Sequence, residues 1–206
     1  MIQLETVVIS ANKNETNRLE APIVVHVMTP KLFENTNSVC LAQGLSFQPG
    51  LRVETNCQNC GFQQVRINGL DGPYTQLLLD GKALFSSLNG VYGIEQIPTG
   101  MIERVEVMRG GGSALYGANA IGGTVNIITK EPLNNLFMIS HNLTAIGNSA
   151  YDNTTSLNTS LVNSQRDAGI YLFGTSRHRQ HYDHDGDHFS EIGKLKLTTL
   201  GFRSFY

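Results

Sequence analysis

Three groups of residues have the types and spacing to do chemistry. The first is the run His178-Arg-Gln-His-Tyr-Asp-His-Asp-Gly-Asp-His188, in which Asp183, Asp185 and Asp187 repeat like the opening of a calcium loop. Carboxylates at alternate positions can converge on one hard cation. His188 stands where an EF-hand needs glycine and Lys194 where it needs its bidentate glutamate, which excludes an EF-hand. A solvated acidic loop is the competing reading. The second group is Cys57-Gln-Asn-Cys60; no second such pair sits at zinc-ribbon spacing, so a bridge, reduced thiols or a metal stay open. Cys40 falls in an apolar helical stripe and reads as a core residue. The third group is the glycine block around Gly110–Gly123. Gly112 to Gly117 has P-loop spacing, but Ala118-Asn119 stands where Lys-Ser/Thr is required. No Ser-His-Asp or Cys-His set can be argued from residue order, so no enzymatic activity is expected.

Elements of two textures position these groups. The 206 residues carry a formal net charge of -2 and no basic stripe, which excludes an electrostatic nucleic-acid binder. No apolar run reaches transmembrane-helix length, and Met1-Ile-Gln-Leu-Glu5 lacks the basic and apolar regions of a signal peptide. Glycine, at 21 residues, crowds the middle third, where short strands and turns are expected. Pro22–Met28 reads as a strand, Thr29-Pro30 as a helix start, and Ser38–Ser46 as a short amphipathic helix. Leu51–Glu54, Val65–Asn68, the Gln76–Leu84 hairpin turning at Asp80-Gly81, Met101–Met108 and Thr124–Thr129 read as strands. Charged residues alternate with apolar ones in Met101–Met108, which predicts one wet face. Ser113–Tyr116 suits a single helical turn. The sum over about 17–130 is a small α+β domain with a mixed sheet, preceded by a segment at 1–16.

After Glu131-Pro132 the chain is rich in Asn, Ser and Thr with weak alternation. Thr155, Leu157, Thr159 and Leu161 share one face while Ser156, Asn158 and Ser160 share the other, the pattern of a strand between lipid and a wet lumen. Segments at about 134–146, 153–163, 169–181 and 194–206 fit four such antiparallel strands, with a face slip expected near Thr199. Membrane barrels close with about eight strands or more, so 131–206 is expected to be the start of a transmembrane β-barrel and the chain a fragment.

The continuous block Ile102-Glu-Arg-Val-Glu-Val-Met-Arg-Gly-Gly-Gly-Ser-Ala-Leu-Tyr-Gly-Ala-Asn-Ala-Ile-Gly-Gly-Thr-Val-Asn-Ile-Ile-Thr129 closely resembles the plug signature of TonB-dependent outer-membrane receptors. Leu78-Leu79-Asp80-Gly81 resembles that family's L-I-D-G hairpin, Gly69 the glycine of its I-R-G motif, and Glu5-Thr6-Val7-Val8-Ile9-Ser10-Ala11 the TonB box of its vitamin B12 transporters. The sequence departs from the pattern at Gly111, in place of the R-G-P proline, and at Asn68, with Arg66 two residues before it. The Cys57–Cys60 insertion resembles haem, corrinoid and siderophore receptors of Bacteroidetes type.

The resemblance implies a receptor in the cell outer membrane that takes up a small metal chelate, driven by the TonB energy-transducing protein. The chelate classes implied are siderophore-iron, haem and corrinoid. Arg109 and Arg66 are then the expected plug–barrel contacts, with barrel glutamates as partners. Gly69, Asp80, Gly81, Gly110, Tyr116, Gly117, Gly122 and Gly123 are the expected plug-motif residues. Maturation through an oxidising periplasm implies a Cys57–Cys60 disulfide. Strand counting puts Asp183, Asp185 and Asp187 in the second extracellular loop, where calcium is the one cofactor to expect. Two rivals stand beside this reading: a plug-type periplasmic interaction domain without transport, and a glycan receptor with a lipoprotein partner.

Overall fold

The computed structural model describes residues 8–9, 16–17, 24–57, 62–84, 89–110 and 113–206. Two short strands, β1 (Val8–Ile9) and β2 (Thr16–Asn17), pair antiparallel near the N-terminus. β3 (Val25–Met28) leads into α1 (Pro30–Asn35), α2 (Leu41–Leu45), β4 (Leu51–Cys57), β5 (Phe62–Ile67), β6 (Thr75–Leu79) and β7 (Lys82–Ala83). α3 (Asn89–Gln96), β8 (Ile102–Arg109), α4 (Ser113–Tyr116) and β9 (Gly123–Thr129) complete the first domain. Then come four long strands: β10 (Leu136–Ile146), β11 (Ala150–Val162), β12 (Gly169–Arg179) and β13 (Leu195–Phe205).

The first domain is built on a five-stranded sheet in the order β3-β8-β9-β6-β7, with β6 and β9 parallel and the other neighbours antiparallel. It is the mixed sheet that alternating short strands and turns imply. The ribbon β4-β5 stands apart as an antiparallel pair. Pro30 begins α1 as its fixed φ favours, but the Thr29 hydroxyl makes no cap hydrogen bond. The helix ends at Asn35, and two residues on Asn37 turns the chain with a φ of 52°, a left-handed conformation that asparagine tolerates. The main core joins α1, α2, α3 and the sheet through Phe33, Leu45, Ile94, Val105, Val107 and Ile127. Val25, Leu78, Met108, Tyr116 and Ala120 form a second cluster on the other side.

One expectation is overturned here. β8 has no continuous wet face, because it lies between β3 and β9 with a core cluster on each side; Glu103 near its start is exposed, but Glu106 is fully buried. Its carboxylate accepts a hydrogen bond from Arg104 Nε at 2.8 Å. Alternation of charge reported a strand correctly, but a central strand can bury a carboxylate when an arginine beside it supplies the partner.

β10 to β13 form an antiparallel meander paired in sequence order. One face is apolar and open, with Phe137, Ile139, Leu157, Leu161, Leu200 and Phe202 all exposed. The other face carries Asp152, Thr154, Asn158, Ser160, Thr175 and Arg177, all buried against the first domain. Polar side chains thus meet the plug and apolar ones point away, the arrangement of a barrel wall between lumen and lipid. The expected slip near Thr199 does not occur: β13 pairs with β12 residue for residue from Leu195 to Phe205. Leu195 and Leu197 face the plug while Leu200 and Phe202 face outward, so a change in composition imitates a change of register. No helix among the described residues is long and apolar enough to cross a membrane.

Candidate functional site

The joint between the plug and the strand wall is made at two levels. At the upper level Asp152 on β11 and Arg177 on β12 form a forked pair, with Arg177 Nη2 2.6 Å from Asp152 Oδ2 and Nε 3.1 Å from both carboxylate oxygens. The free arm, Nη1, reaches Glu95 Oε1 on α3 at 3.2 Å and Cys40 Sγ at 3.6 Å. Arg179 Nη1 donates to the same Glu95 oxygen at 3.2 Å. These groups are withdrawn from water: the side chains of Arg177, Asp152 and Glu95 are 2%, 10% and 12% exposed. A buried charge is tolerable only when paired, and here two cations meet two carboxylates. Burial also pushes the Cys40 thiol up from its ordinary pKa, against the lowering influence of Arg177. A cavity of about 290 Å³ opens beside this joint, lined in part by Asn37, Gln43, Asn142 and Thr154.

At the lower level Arg203 on β13 donates through Nη2 to Glu131 at 2.6 Å and through Nη1 to the Thr129 carbonyl at 3.2 Å and Asp80 Oδ2 at 3.4 Å. Asp80 in turn accepts the Thr129 backbone N–H at 2.8 Å and its hydroxyl at 2.7 Å. The plug hairpin, the end of β9 and the wall are therefore joined through one carboxylate. Between the two levels Tyr171 Oη donates to the Gly100 carbonyl at 2.7 Å and lies 2.9 Å from Asn158 Oδ1. Asn142 reaches Asn37 at 2.6 Å on the β10 side.

The plug-motif residues fall where the chain must turn or approach closely. Asp80 and Gly81 both have positive φ and link Leu79 to Lys82 in a two-residue hairpin, and the Gly81 N–H is held by the buried Asn126 side chain at 2.9 Å. Asn68 and Gly69 repeat the same device after β5; asparagine accepts the left-handed φ of 53°, so the departure from the family's arginine leaves the turn intact. Gly110 and Gly117 also have positive φ, and the Gly110 N–H donates to the Gly122 carbonyl. Tyr116 packs in the second core cluster. Gly123 stands so close to β8 that an added Cβ would lie 2.3 Å from the Met108 carbonyl.

Arg109 and Arg66, expected to contact the wall, both bond inside the plug. The Arg109 guanidinium lies on the Pro49-Gly50 turn and donates to the Pro49 carbonyl. Arg66 pairs with Glu54 at 2.7 Å and Asp71 at 2.8 Å. Against β10 to β13 the polarity is the reverse of that expected: the wall supplies arginines and the plug supplies Glu95 and Asp80. Sequence reasoning missed Glu95, Arg177, Arg179 and Arg203. Strict alternation from Thr175 puts Arg177 and Arg179 on the lumen face, a signal that they need carboxylates. Nothing marked Glu95, because Asn89-Gly-Val-Tyr-Gly93 is a poor helix former and α3 was not anticipated.

Of the expected TonB box, Val8 and Ile9 are extended and pair with Asn17 and Thr16; Glu5, Thr6, Val7, Ser10 and Ala11 lie outside the described residues. Of the expected Cys57–Cys60 bridge, Cys57 ends β4 and Cys60 lies outside the described residues. Asp183, Asp185 and Asp187 bring carboxylate oxygens within 4.8 Å of one another. Those oxygens already accept loop N–H groups: Asp183 takes Gly186 at 2.7 Å and His188 at 3.0 Å, and Asp187 takes Phe189 at 2.8 Å. Three carboxylates also fall short of the six to eight or so oxygens that calcium takes.

Comparison with known proteins agrees with this geometry. Residues 17–124 match the family model described as TonB-dependent Receptor Plug Domain. The chain is 35% identical over 127 residues to the vitamin B12 transporter BtuB of Vibrio vulnificus (strain CMCP6), covering 62% of this chain and 21% of that protein. It is 31% identical over 126 residues to BtuB of Vibrio cholerae serotype O1 (strain M66-2), covering 61% of this chain and 21% of that one. The chain thus spans about a fifth of the length of these curated relatives. Among solved structures, the siderophore receptor PirA from Acinetobacter baumannii superposes with a TM-score of 0.64 at 25% identity, over 80% of this chain and 26% of that one. The ferric yersiniabactin uptake receptor FyuA from Yersinia pestis shares the fold, with a TM-score of 0.63 at 19% identity, over 87% of this chain and 28% of that one. A plug sheet seated on the polar face of a membrane-type meander and a family match through the plug lead to one assignment: the chain belongs to the TonB-dependent receptor plug-domain family of the outer membrane.

Proposed function

We propose that this chain is the gating portion of an energy-coupled receptor that imports a metal-containing chelate. The observation that carries the reading is the seating of the plug on the lumen face of β10–β13 while the opposite face is apolar. A plug held by hydrogen bonds and ion pairs can close a passage and still be displaced. A corrinoid is the chelate class favoured by the vitamin B12 transporters among the relatives; siderophore-iron and haem are the alternatives. Glu5–Ala11 is the handle for a TonB-type partner. Its extended Val8-Ile9 suits addition to an exposed sheet edge, where backbone hydrogen bonds matter more than side chains. The test is uptake beside ligand binding in the complete receptor, with cyanocobalamin as the first probe. Val8→Pro removes a backbone donor and is expected to abolish uptake while binding persists; Val8→Ala is expected to change little. Normal uptake by Val8→Pro would overturn the coupling role. Loss of binding together with uptake would make these residues part of the plug sheet instead.

A further inference from the structure

We propose that Glu95 is the residue that seats the plug on the barrel wall, by sharing one carboxylate oxygen between Arg177 and Arg179. The wall is prepared for it. Asp152 grips Arg177 through Nε and Nη2, which fixes the guanidinium plane and leaves Nη1 aimed at α3. Arg179 is positioned from its other side by Nε donating to the Gly193 carbonyl at 3.1 Å. Two arginines against one aspartate leave the wall with one uncompensated positive charge, and Glu95 is the plug group that cancels it. The balance holds only while the plug is in place, so the joint is an interaction surface within one chain whose two halves are complementary in charge.

Burial ranks this joint above the lower one. Arg203, Asp80 and Glu131 are 34%, 37% and 59% exposed, so water and salt screen their pairs. Around Glu95 the groups are less exposed, with Arg177 at 2%, Glu95 at 12% and Arg179 at 21%; without Glu95, Arg177 keeps Asp152 and Arg179 is left with no carboxylate among the described residues, in a poorly hydrated place. The same joint covers Cys40, which is 3% exposed and lies against Arg177 Nη1. Cys40 also packs in the plug's own core, so its thiol reports loosening of this joint or of the plug beneath it, and Arg203→Gln, which touches only the lower level, is the control.

The inference rests on the receptor reading only in requiring a complete barrel around the plug. Its test needs neither ligand nor energy, so a failure of uptake would leave it standing. In the complete receptor carrying Cys57→Ser and Cys60→Ser, the rate at which N-ethylmaleimide modifies Cys40 is measured. Glu95→Gln is expected to raise it about tenfold, below the range for a fully buried pair, because Arg177 keeps Asp152 and Arg179 is 21% exposed. Arg179→Gln should raise it less, and in the Glu95→Gln background should add nothing, because the two groups act as one unit. Arg203→Gln should leave it within about threefold of wild type. An unchanged rate in Glu95→Gln overturns the proposal. So do effects of Glu95→Gln and Arg179→Gln that simply multiply.

Discussion

Asp80 joins the hairpin, the last plug strand and the wall, and replacing it tests that arrangement quantitatively. In Asp80→Ala the Thr129 N–H and hydroxyl lose acceptors at 2.8 and 2.7 Å. A hydrogen bond to a charged group contributes about 1.5–3 kcal/mol when buried. The Asp80 side chain is 37% exposed, so about 1 kcal/mol for each is the appropriate figure. Alanine at a φ of 48° adds about 1 kcal/mol of left-handed strain. The sum is about 3 kcal/mol, which corresponds to roughly a hundredfold loss of protection at the Thr129 amide. Native-state hydrogen exchange on the complete receptor reads that amide directly. Asp80→Asn keeps one acceptor and tolerates the left-handed turn, so about tenfold is expected. Arg203→Gln removes two partly exposed ion pairs and a donor to the Thr129 carbonyl but leaves the Thr129 N–H and hydroxyl held by Asp80, so it should stay within about threefold. The reasoning fails if Asp80→Ala changes Thr129 protection less than about threefold, or if asparagine is as damaging as alanine.

Gly123→Ala places a Cβ against the Met108 backbone and should destabilise the plug by roughly 3 kcal/mol or more, whereas Gly69→Ala, with open space around it, should cost about 1 kcal/mol of strain; denaturant unfolding of both variants gives the ranking. Burial lowers the Lys130 pKa from its ordinary 10.5, with the charges of Glu103 and Glu34 opposing the shift. The folded state therefore binds the proton less tightly than the unfolded chain, so the penalty is full at low pH and fades as pH rises through the lowered value toward the ordinary one. Thermal midpoints at pH 7 and 10 should accordingly differ between wild type and Lys130→Met mainly at pH 7, with the variant the more stable; the same gap at both pH values would contradict this. Thiol titration of denatured, unreduced protein should find one free thiol, Cys40, with Cys57 and Cys60 bridged; three would remove the bridge.

What the sequence settled by itself is what short-range physics dictates. Alternation along 134–206 located four strands to within a few residues and separated the two faces of the strand around Thr155–Leu161, because side chains on a strand must point to opposite sides; in the last strand it wrongly implied a slip near Thr199. Asp80-Gly81 announced its hairpin because few other pairs accept two successive positive φ values. The block from Ile102 to Thr129 pointed to the plug not through physics but through its resemblance to the family's signature. Only the tertiary structure decided which charges meet. Glu106 is buried although its neighbours alternate like a surface strand, because β8 lies between two others. Arg109 and Arg66 bond within the plug, while Arg177, Arg179 and Arg203 reach across from the wall. Glu95 and Arg177 are 82 positions apart in the chain. Pairing over that distance leaves no local pattern, since it depends on how a helix with two glycines docks against a strand that forms much later in the sequence.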